Sequence, residues 1–152
     1  GVVWGWRVLT PEAPFVQGRS PDPATDEEHR RILIIMTDGA NTYQNKSYSH
    51  NRTEYNAYGY GTEERLGDGI DSSNEIAYEM DERTELACTN AKAYEAMQVY
   101  TIAFQVSDTD TKNMLRDCAT SSSMAYQSNS NSELVTAFSQ ISKEISKLRL
   151  SR

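Results

Sequence analysis

Asp38 is a carboxylate residue at a position where parallel sheets commonly have their functional residues. Asp38 follows the apolar run Ile32 to Met36, which has no polar alternation and is rich in β-branched residues. Such a run is typical of a strand buried on both faces of a parallel sheet. Ligands bind such sheets just beyond the carboxyl ends of the strands, which is where Thr37 and Asp38 lie. Asp38 therefore either serves a ligand site or forms only a local turn with its own backbone.

The residues after Asp38 predict a change of chain direction. Gly39 is expected to permit a sharp turn away from the sheet. Asn41 or Thr42 is expected to hydrogen-bond a neighbouring backbone group through its side chain.

A long segment without hydrophobic periodicity, residues 43–80, follows this turn and holds six of the nine tyrosines. Segments of this kind inside a compact domain are often functional. Its Tyr-, Asn-, Ser- and Gly-rich composition is that of adaptable binding loops. One interpretation is an insertion without ordered structure; the other is a binding loop that uses Asn41, Thr42, Tyr55, Tyr58 and Tyr60.

The elements that must position these residues alternate between helix and strand. In chain order, the predicted elements are a short buried helix over 1–9, a strand over 31–37, a helix over 81–97, a strand over 98–106, a helix capped by Ser107 or Asp108, a short strand over 124–127 and a last helix capped by Ser130 or Ser132. All four prolines fall between 11 and 23, which makes residues 10–29 a surface connection. This order predicts right-handed crossovers and a doubly wound, Rossmann-like parallel sheet.

The last predicted helix carries one apolar stripe that is expected to face the core. The stripe consists of Leu134, Phe138, Ile141, Ile145 and Leu148. The basic residues near its end, from Lys143 to Arg152, are explained by a favourable interaction with the helix dipole.

Composition excludes several classes of protein. The 152 residues carry a formal net charge of −7, which repels nucleic-acid phosphates. No apolar stretch is long enough to span a bilayer.

The first residue is not Met and an apolar segment follows at once, so we expect part of a longer protein. His29 and His50 are expected at the surface. The two cysteines, Cys88 and Cys118, form either one disulfide or two ordinary thiols.

The strand "ILIIMTDGANT" resembles that of the von Willebrand factor A domain, where such a strand ends in Thr-Asp-Gly beside a metal-ion-dependent adhesion site. A narrower resemblance rests on several motifs in matching order: "GVVWGWRVLTPEAPF", "YNAYGY" with "RLG", "LACTNAK", "LRDCAT" and "ISKLRLSR". These are similar to the C-terminal region of TadG-like pilus assembly proteins, and the similarity covers essentially the whole chain.

The resemblance implies a non-catalytic binding module that assists Flp/Tad pilus assembly. Its protein partner would be a pilus assembly component or a surface ligand. It would lie outside the cytoplasm, in the periplasm or at the cell surface, anchored by an N-terminal membrane segment absent from these residues. Residues 1–152 would be the C-terminal part of one A-like domain that lacks its N-terminal strands and carries the insertion at 43–80.

The resemblance also implies Mg²⁺ in the full-length domain, with Asp38 and Thr37 in an incomplete adhesion site. The family's Asp-x-Ser-x-Ser motif, which would complete the octahedral oxygen shell, is not found in this sequence. We therefore predict that this chain binds Mg²⁺ weakly or not at all. The alternative function is a Mg²⁺-dependent phosphotransfer enzyme with Asp38 as nucleophile. That site would need a second carboxylate two residues away, where Met36 and Ala40 stand, so we predict no enzyme activity.

Two further expectations depend on the resemblance. An extracytoplasmic location permits oxidation, and Cys88 and Cys118 precede strands in successive crossovers, so we predict a disulfide between them. In the A-domain layout, a neighbour of strand 31–37 comes from the absent N-terminal part. We therefore predict self-association through strand 31–37, most simply as an antiparallel two-fold dimer.

Overall fold

A computed structural model of the chain describes residues 1–18, 30–44, 48, 51, 55–94 and 97–150, with the side chains of 148–150 excepted. The elements in order are α1 (Val2–Leu9), β1 (Arg31–Thr37), a 3₁₀ helix (Gly61–Glu63), α2 (Ser73–Ala93), β2 (Met97–Phe104), α3 (Thr109–Cys118), a second 3₁₀ helix (Ser122–Met124), β3 (Ala125–Ser128) and α4 (Asn131–Leu150). The chain divides into two compact units. The sheet unit comprises Gly1–Ala40 and Glu85–Arg152, and the tyrosine unit comprises Asn41–Thr84.

The sheet unit is built on a three-stranded sheet in the order β1-β2-β3. Both strand pairs are parallel, with Arg31 opposite Met97 at one end of the first pair and Thr37 opposite Ala103 at the other. The predicted α/β class with a parallel sheet is therefore confirmed. A parallel sheet requires helical crossovers, and helices lie on both faces of this sheet.

Successive residues of each strand point to opposite faces of the sheet, and each face has its own core. On one face, Leu33 and Val99 pack with Cys88, Ala91 and Cys118, which brings in α2 and α3. This set also contacts three residues of α1: Val2, Trp6 and Leu9.

The opposite face of the sheet, here called the α4 face, is covered by α4 over β2 and β3. Its core consists of Tyr100, Ile102 and Ile141, with Ile32 packed beside them. Ile34 and Met36 point to this face yet are 38% and 53% exposed. The expectation that β1 is buried on both faces is therefore wrong, because α4 lies mainly over β2 and β3.

The first helix is not the buried helix that its apolar sequence predicts. No residue of α1 is buried, and Val3, Trp4 and Val8 are exposed. Only the stripe formed by Val2, Trp6 and Leu9 contacts the sheet core, because a single layer below the helix can cover only one side of it.

The second helix begins at Ser73 and ends at Ala93, not at 81 and 97. Ser72 explains the earlier start because its hydroxyl donates to Glu75 Oε2 at 2.6 Å and accepts from the Glu75 amide at 3.3 Å. This reciprocal cap satisfies amides of the first turn. The predicted insertion at 43–80 is therefore helical over its last residues.

In the C-terminal half, Asp108 and Ser130 are the caps among the predicted alternatives, and the short strand predicted over 124–127 is Ala125–Ser128. Asp108 accepts a hydrogen bond from the Thr111 amide at 2.7 Å and caps α3. Ser130 accepts from the Glu133 amide at 3.3 Å at the start of α4. The predicted stripe on α4 is wrong at Phe138, which is 42% exposed, while Ala137 is buried instead. The core-facing side of the helix is centred on Ala137 and Ile141, so Phe138 lies at its margin.

Cys88 of α2 and Cys118 of α3 form a disulfide bond, as predicted, with their Cα atoms 5.1 Å apart. Both residues are buried. The bond joins two helices on the same face of the sheet.

Candidate functional site

The turn at the carboxyl end of β1 is held by the hydroxyl of Thr37. Thr37 Oγ1 donates to the Gly39 carbonyl at 2.8 Å and accepts from the Gly39 amide at 3.3 Å. Gly39 has no positive φ, and a Cβ added there would meet no atom within 4 Å. Gly39 permits this turn, but the turn does not depend on the conformational freedom of glycine, since the threonine side chain shapes it.

Asp38 is exposed at this turn. Among the described residues, no group of three His, Cys, Asp or Glu side chains could hold a metal ion. The Thr37 hydroxyl bonds Gly39 but keeps one lone pair, so Thr37 and Asp38 together offer two side-chain oxygen ligands. Two oxygens alone do not complete the octahedral shell of Mg²⁺, whose other ligands would have to come from water or from other groups.

The neighbouring loop at the same edge follows β2. Gln105 adopts φ +54°, and its amide donates to the Ser128 carbonyl at 2.8 Å, which extends the pairing of β2 with β3. Asp108 follows, and hydrogen bonds from Thr111 hold the pKa of its carboxyl below the ordinary value. This carboxylate is therefore committed to capping α3.

The third strand ends at this edge with a buried hydroxyl. Ser128 is fully buried, and its Oγ has no hydrogen-bond partner among the described residues. Sequence reasoning did not find this residue, because a serine in a short strand has no distinguishing pattern.

The tyrosine unit brings together three of the residues predicted to form a binding loop. Asn56 and Gly59 pair in an antiparallel bridge that closes a tight turn, and the Tyr58 amide donates to Asn56 Oδ1 at 2.7 Å. The rings of Tyr55 and Tyr60 then meet edge to face, with centroids 5.2 Å apart.

A small core holds this turn against α2 within the tyrosine unit. Tyr43, Leu66 and Ile76 are buried together, and Tyr58 packs against them. Arg83 of α2 donates to the Leu66 carbonyl at 3.2 Å. The described part of this segment thus has a packed core of its own.

A shallow concavity opens on this core. Its lining includes Tyr43, Tyr58, Tyr60, Arg65, Leu66 and Ile76. Its volume is about 10 Å³, which is room for about one water molecule and far below the ~300–1,000 Å³ of typical small-molecule sites. The hydroxyl of Tyr43 is buried with no hydrogen-bond partner in the described part of the chain. The concavity is therefore too small for a metabolite, and a partner would contact its rim.

Arg65 and Glu63 form an ion pair at the rim of the concavity. Arg65 Nε lies 3.0 Å from Glu63 Oε2. The same carboxylate oxygen accepts from the Tyr60 amide at 3.0 Å. The glutamate therefore holds both the arginine and the tyrosine backbone in place.

Asn41 and Thr42, the other two residues predicted for the binding loop, differ in environment. Asn41 Nδ2 donates to Asp81 Oδ1 at 2.7 Å, so it does not bond a neighbouring backbone group as expected. Thr42 is exposed.

Sequence reasoning missed the roles of Tyr43, Arg65 and Leu66 in this unit. Two sequence features could have predicted this core: the spacing of the apolar residues Leu66, Ile70, Ile76 and Met80, and the Ser-x-x-Glu cap at 72–75. His29 and His50 lie outside the described residues.

No family model, curated protein or solved structure matches the chain. None of the described helices is both long and apolar enough to cross a membrane.

Proposed function

We propose that the chain is a non-catalytic protein-binding module of the von Willebrand factor A type that assists Flp/Tad pilus assembly outside the cytoplasm. The parallel sheet and the position of Thr37 and Asp38 at the end of β1 are compatible with that type of domain. The disulfide between Cys88 and Cys118 is compatible with an oxidising compartment.

The observation that carries the proposal is the aromatic concavity of the tyrosine unit. Tyr43, Tyr58 and Tyr60 line it beside Arg65. Tyrosine and arginine are the residue types that most often dominate binding energy at protein interfaces. The exposed Arg65 and the partly exposed Tyr60 would contact the partner, whereas Tyr43 and Leu66 are buried below them.

The partner proposed for this surface is a pilus assembly component or a surface ligand. Tyr55 is 67% exposed and meets the ring of Tyr60, which extends the aromatic surface beyond the concavity. Such a surface gives rigid contact area at low entropic cost.

The alternative function, Mg²⁺-dependent phosphotransfer with Asp38 as nucleophile, has less support. Met36 and Ala40 occupy the positions two residues from Asp38. The Asp108 carboxylate, in the loop after β2, accepts a hydrogen bond from the Thr111 amide. A second free carboxylate to share a metal ion is therefore not supplied by the loop after β2.

Photo-crosslinking in cells that carry the pilus system tests the binding proposal. A photoreactive phenylalanine at position 60 should crosslink to a pilus assembly component, because Tyr60 lines the concavity. The matched control is position 78 in the same unit, where Tyr78 is 63% exposed on α2. Equal labelling from both positions, or none from position 60, would contradict the proposal.

A second measurement uses Arg65→Ala. Removing this exposed side chain and its ion pair should change the free energy of unfolding by less than about 1 kcal/mol. Crosslinking from position 60 should nevertheless fall, since the partner loses a contact with the arginine. Saturable phosphatase turnover that needs Mg²⁺ and disappears in Asp38→Asn would instead support the enzyme.

A further inference from the structure

The outer side of β1 is a bare strand edge in the described part of the chain. β1 pairs with β2 along all seven of its residues, and the strand order places it at the margin of the sheet. No described strand pairs with its other side. Its sequence, RILIIMT, contains no proline or lysine, which natural edges use to prevent pairing.

The side chains of β1 add an apolar surface to this edge. Ile34 and Met36 are 38% and 53% exposed on the α4 face. Ile32, two residues earlier on the same face, packs against the core under α4. An added strand would therefore gain backbone hydrogen bonds and apolar contacts together.

The charges that flank β1 indicate which strand would fit. Ile34 is the central residue of Arg31–Thr37. Arg30 lies four residues before it and Asp38 four residues after it, and both are exposed. An antiparallel strand of the same sequence centred on Ile34 would place each Arg30 opposite an Asp38. A parallel copy in register would place like charges together, which is unfavourable.

We propose that a second copy of this chain docks on β1 in antiparallel orientation, with the two-fold axis at Ile34. Ile34 then faces Ile34 of the partner subunit, and each Ile32 faces a Met36. The two three-stranded sheets become one six-stranded sheet, closed at each end of the new pair by an Arg30–Asp38 ion pair. This inference does not depend on the proposed function, since it uses only β1 and its flanking residues.

Disulfide crosslinking tests the register. Both native cysteines are already joined, so Ile34→Cys introduces the one free thiol. Directly opposed residues of antiparallel strands have Cα atoms about 4.5–5.5 Å apart, within disulfide range. Mild oxidation should therefore convert Ile34→Cys to a covalent dimer of twice 17.1 kDa. Met36→Cys is the matched control, because its two thiols would lie about 14 Å apart along the strand.

Charge reversal tests the orientation. Arg30→Asp and Asp38→Arg should each weaken dimerisation by about tenfold in analytical ultracentrifugation, because each places like charges together. The double variant restores opposite charges at both ends, so its dimer should return to about the wild-type affinity. Arg116→Asp, an exposed change on α3, is the matched control and should leave the dimer unchanged. Circular dichroism of each variant checks that the fold is retained.

Three results would overturn the proposal. One is a wild-type chain that remains a 17.1 kDa monomer up to about 100 μM. Another is equal crosslinking of Ile34→Cys and Met36→Cys. The third is failure of the double charge variant to regain the dimer while it remains folded, which would show that Arg30 and Asp38 do not pair across the two-fold axis.

Discussion

Asn41 and Asp81 are joined by a 2.7 Å hydrogen bond from Nδ2 to Oδ1 across forty positions of the chain. The bond ties the first residue of the tyrosine unit to α2, which carries part of the core below the concavity. The first prediction concerns this hydrogen bond. Asn41→Ala should reduce the local free energy of opening in this unit by about 1–2 kcal/mol, because the acceptor is a carboxylate.

Amide hydrogen exchange measures this effect. Faster exchange is expected for residues 55–76 in Asn41→Ala, with the β2 amides unchanged. The control Thr42→Ala alters an exposed neighbour and should shift exchange by less than about 0.5 kcal/mol. Unchanged exchange in Asn41→Ala would mean that the bond does not stabilise the unit.

The second prediction concerns the disulfide between Cys88 and Cys118, which are 30 residues apart in sequence. Replacing both cysteines with alanine should lower the free energy of unfolding by roughly 3–4 kcal/mol, because the closed loop no longer restricts the unfolded chain. Urea denaturation with and without reductant measures the difference, and reductant should have no effect on the double variant. Two thiols titrated in the unfolded, unreduced wild type would show that the bond does not form.

The third prediction concerns the pH dependence of the cap on α3. The lowered pKa of Asp108, which is due to hydrogen bonds from Thr111, means that the folded state favours the carboxylate. Its contribution is therefore present above the unfolded pKa of about 3.9 and is lost as pH falls through the folded value. Asp108→Ala should lower Tm at pH 7, and its difference from wild type should shrink towards pH 2.

A variant in the same turn separates capping from charge. Asp110→Asn removes a first-turn carboxylate that does not cap α3, so it should lower Tm less than Asp108→Ala. Equal effects at pH 7 would assign the stabilisation to the helix dipole alone.

The fourth prediction tests the orientation of α4. Ile141 is 1% exposed and packs with Tyr100 and Ile102, whereas Phe138 is 42% exposed. Ile141→Ala should cost about 2–5 kcal/mol of unfolding free energy through lost burial and a residual cavity. Phe138→Ala should cost clearly less in the same urea titration, and the reverse order would return Phe138 to the core-facing stripe.

The fifth prediction concerns Mg²⁺. Calorimetry with millimolar Mg²⁺ should give no saturable isotherm, because Asp38 lacks the further oxygen ligands that this ion requires. Asp38→Ala should behave as the wild type does. Submillimolar binding that Asp38→Ala abolishes would demonstrate a complete site.

The local features of this protein could be predicted from its sequence. The apolar run before Thr37 specified a strand. The cap candidates Ser107 or Asp108, and Ser130 or Ser132, located the starts of α3 and α4 to within two residues, since a cap joins residues three positions apart. The alternation of these elements predicted a parallel sheet, because parallel neighbours need a helical crossover.

The tertiary structure alone decided which surfaces these elements cover. The placement of α4 over β2 and β3 leaves Ile34 and Met36 exposed, although their sequence is as apolar as that of a fully buried strand. The bond between Asn41 and Asp81 spans forty residues, and no local pattern encodes it. Hydrophobic periodicity and caps depend on neighbours along the chain, whereas burial and long-range contacts depend on where the other elements pack.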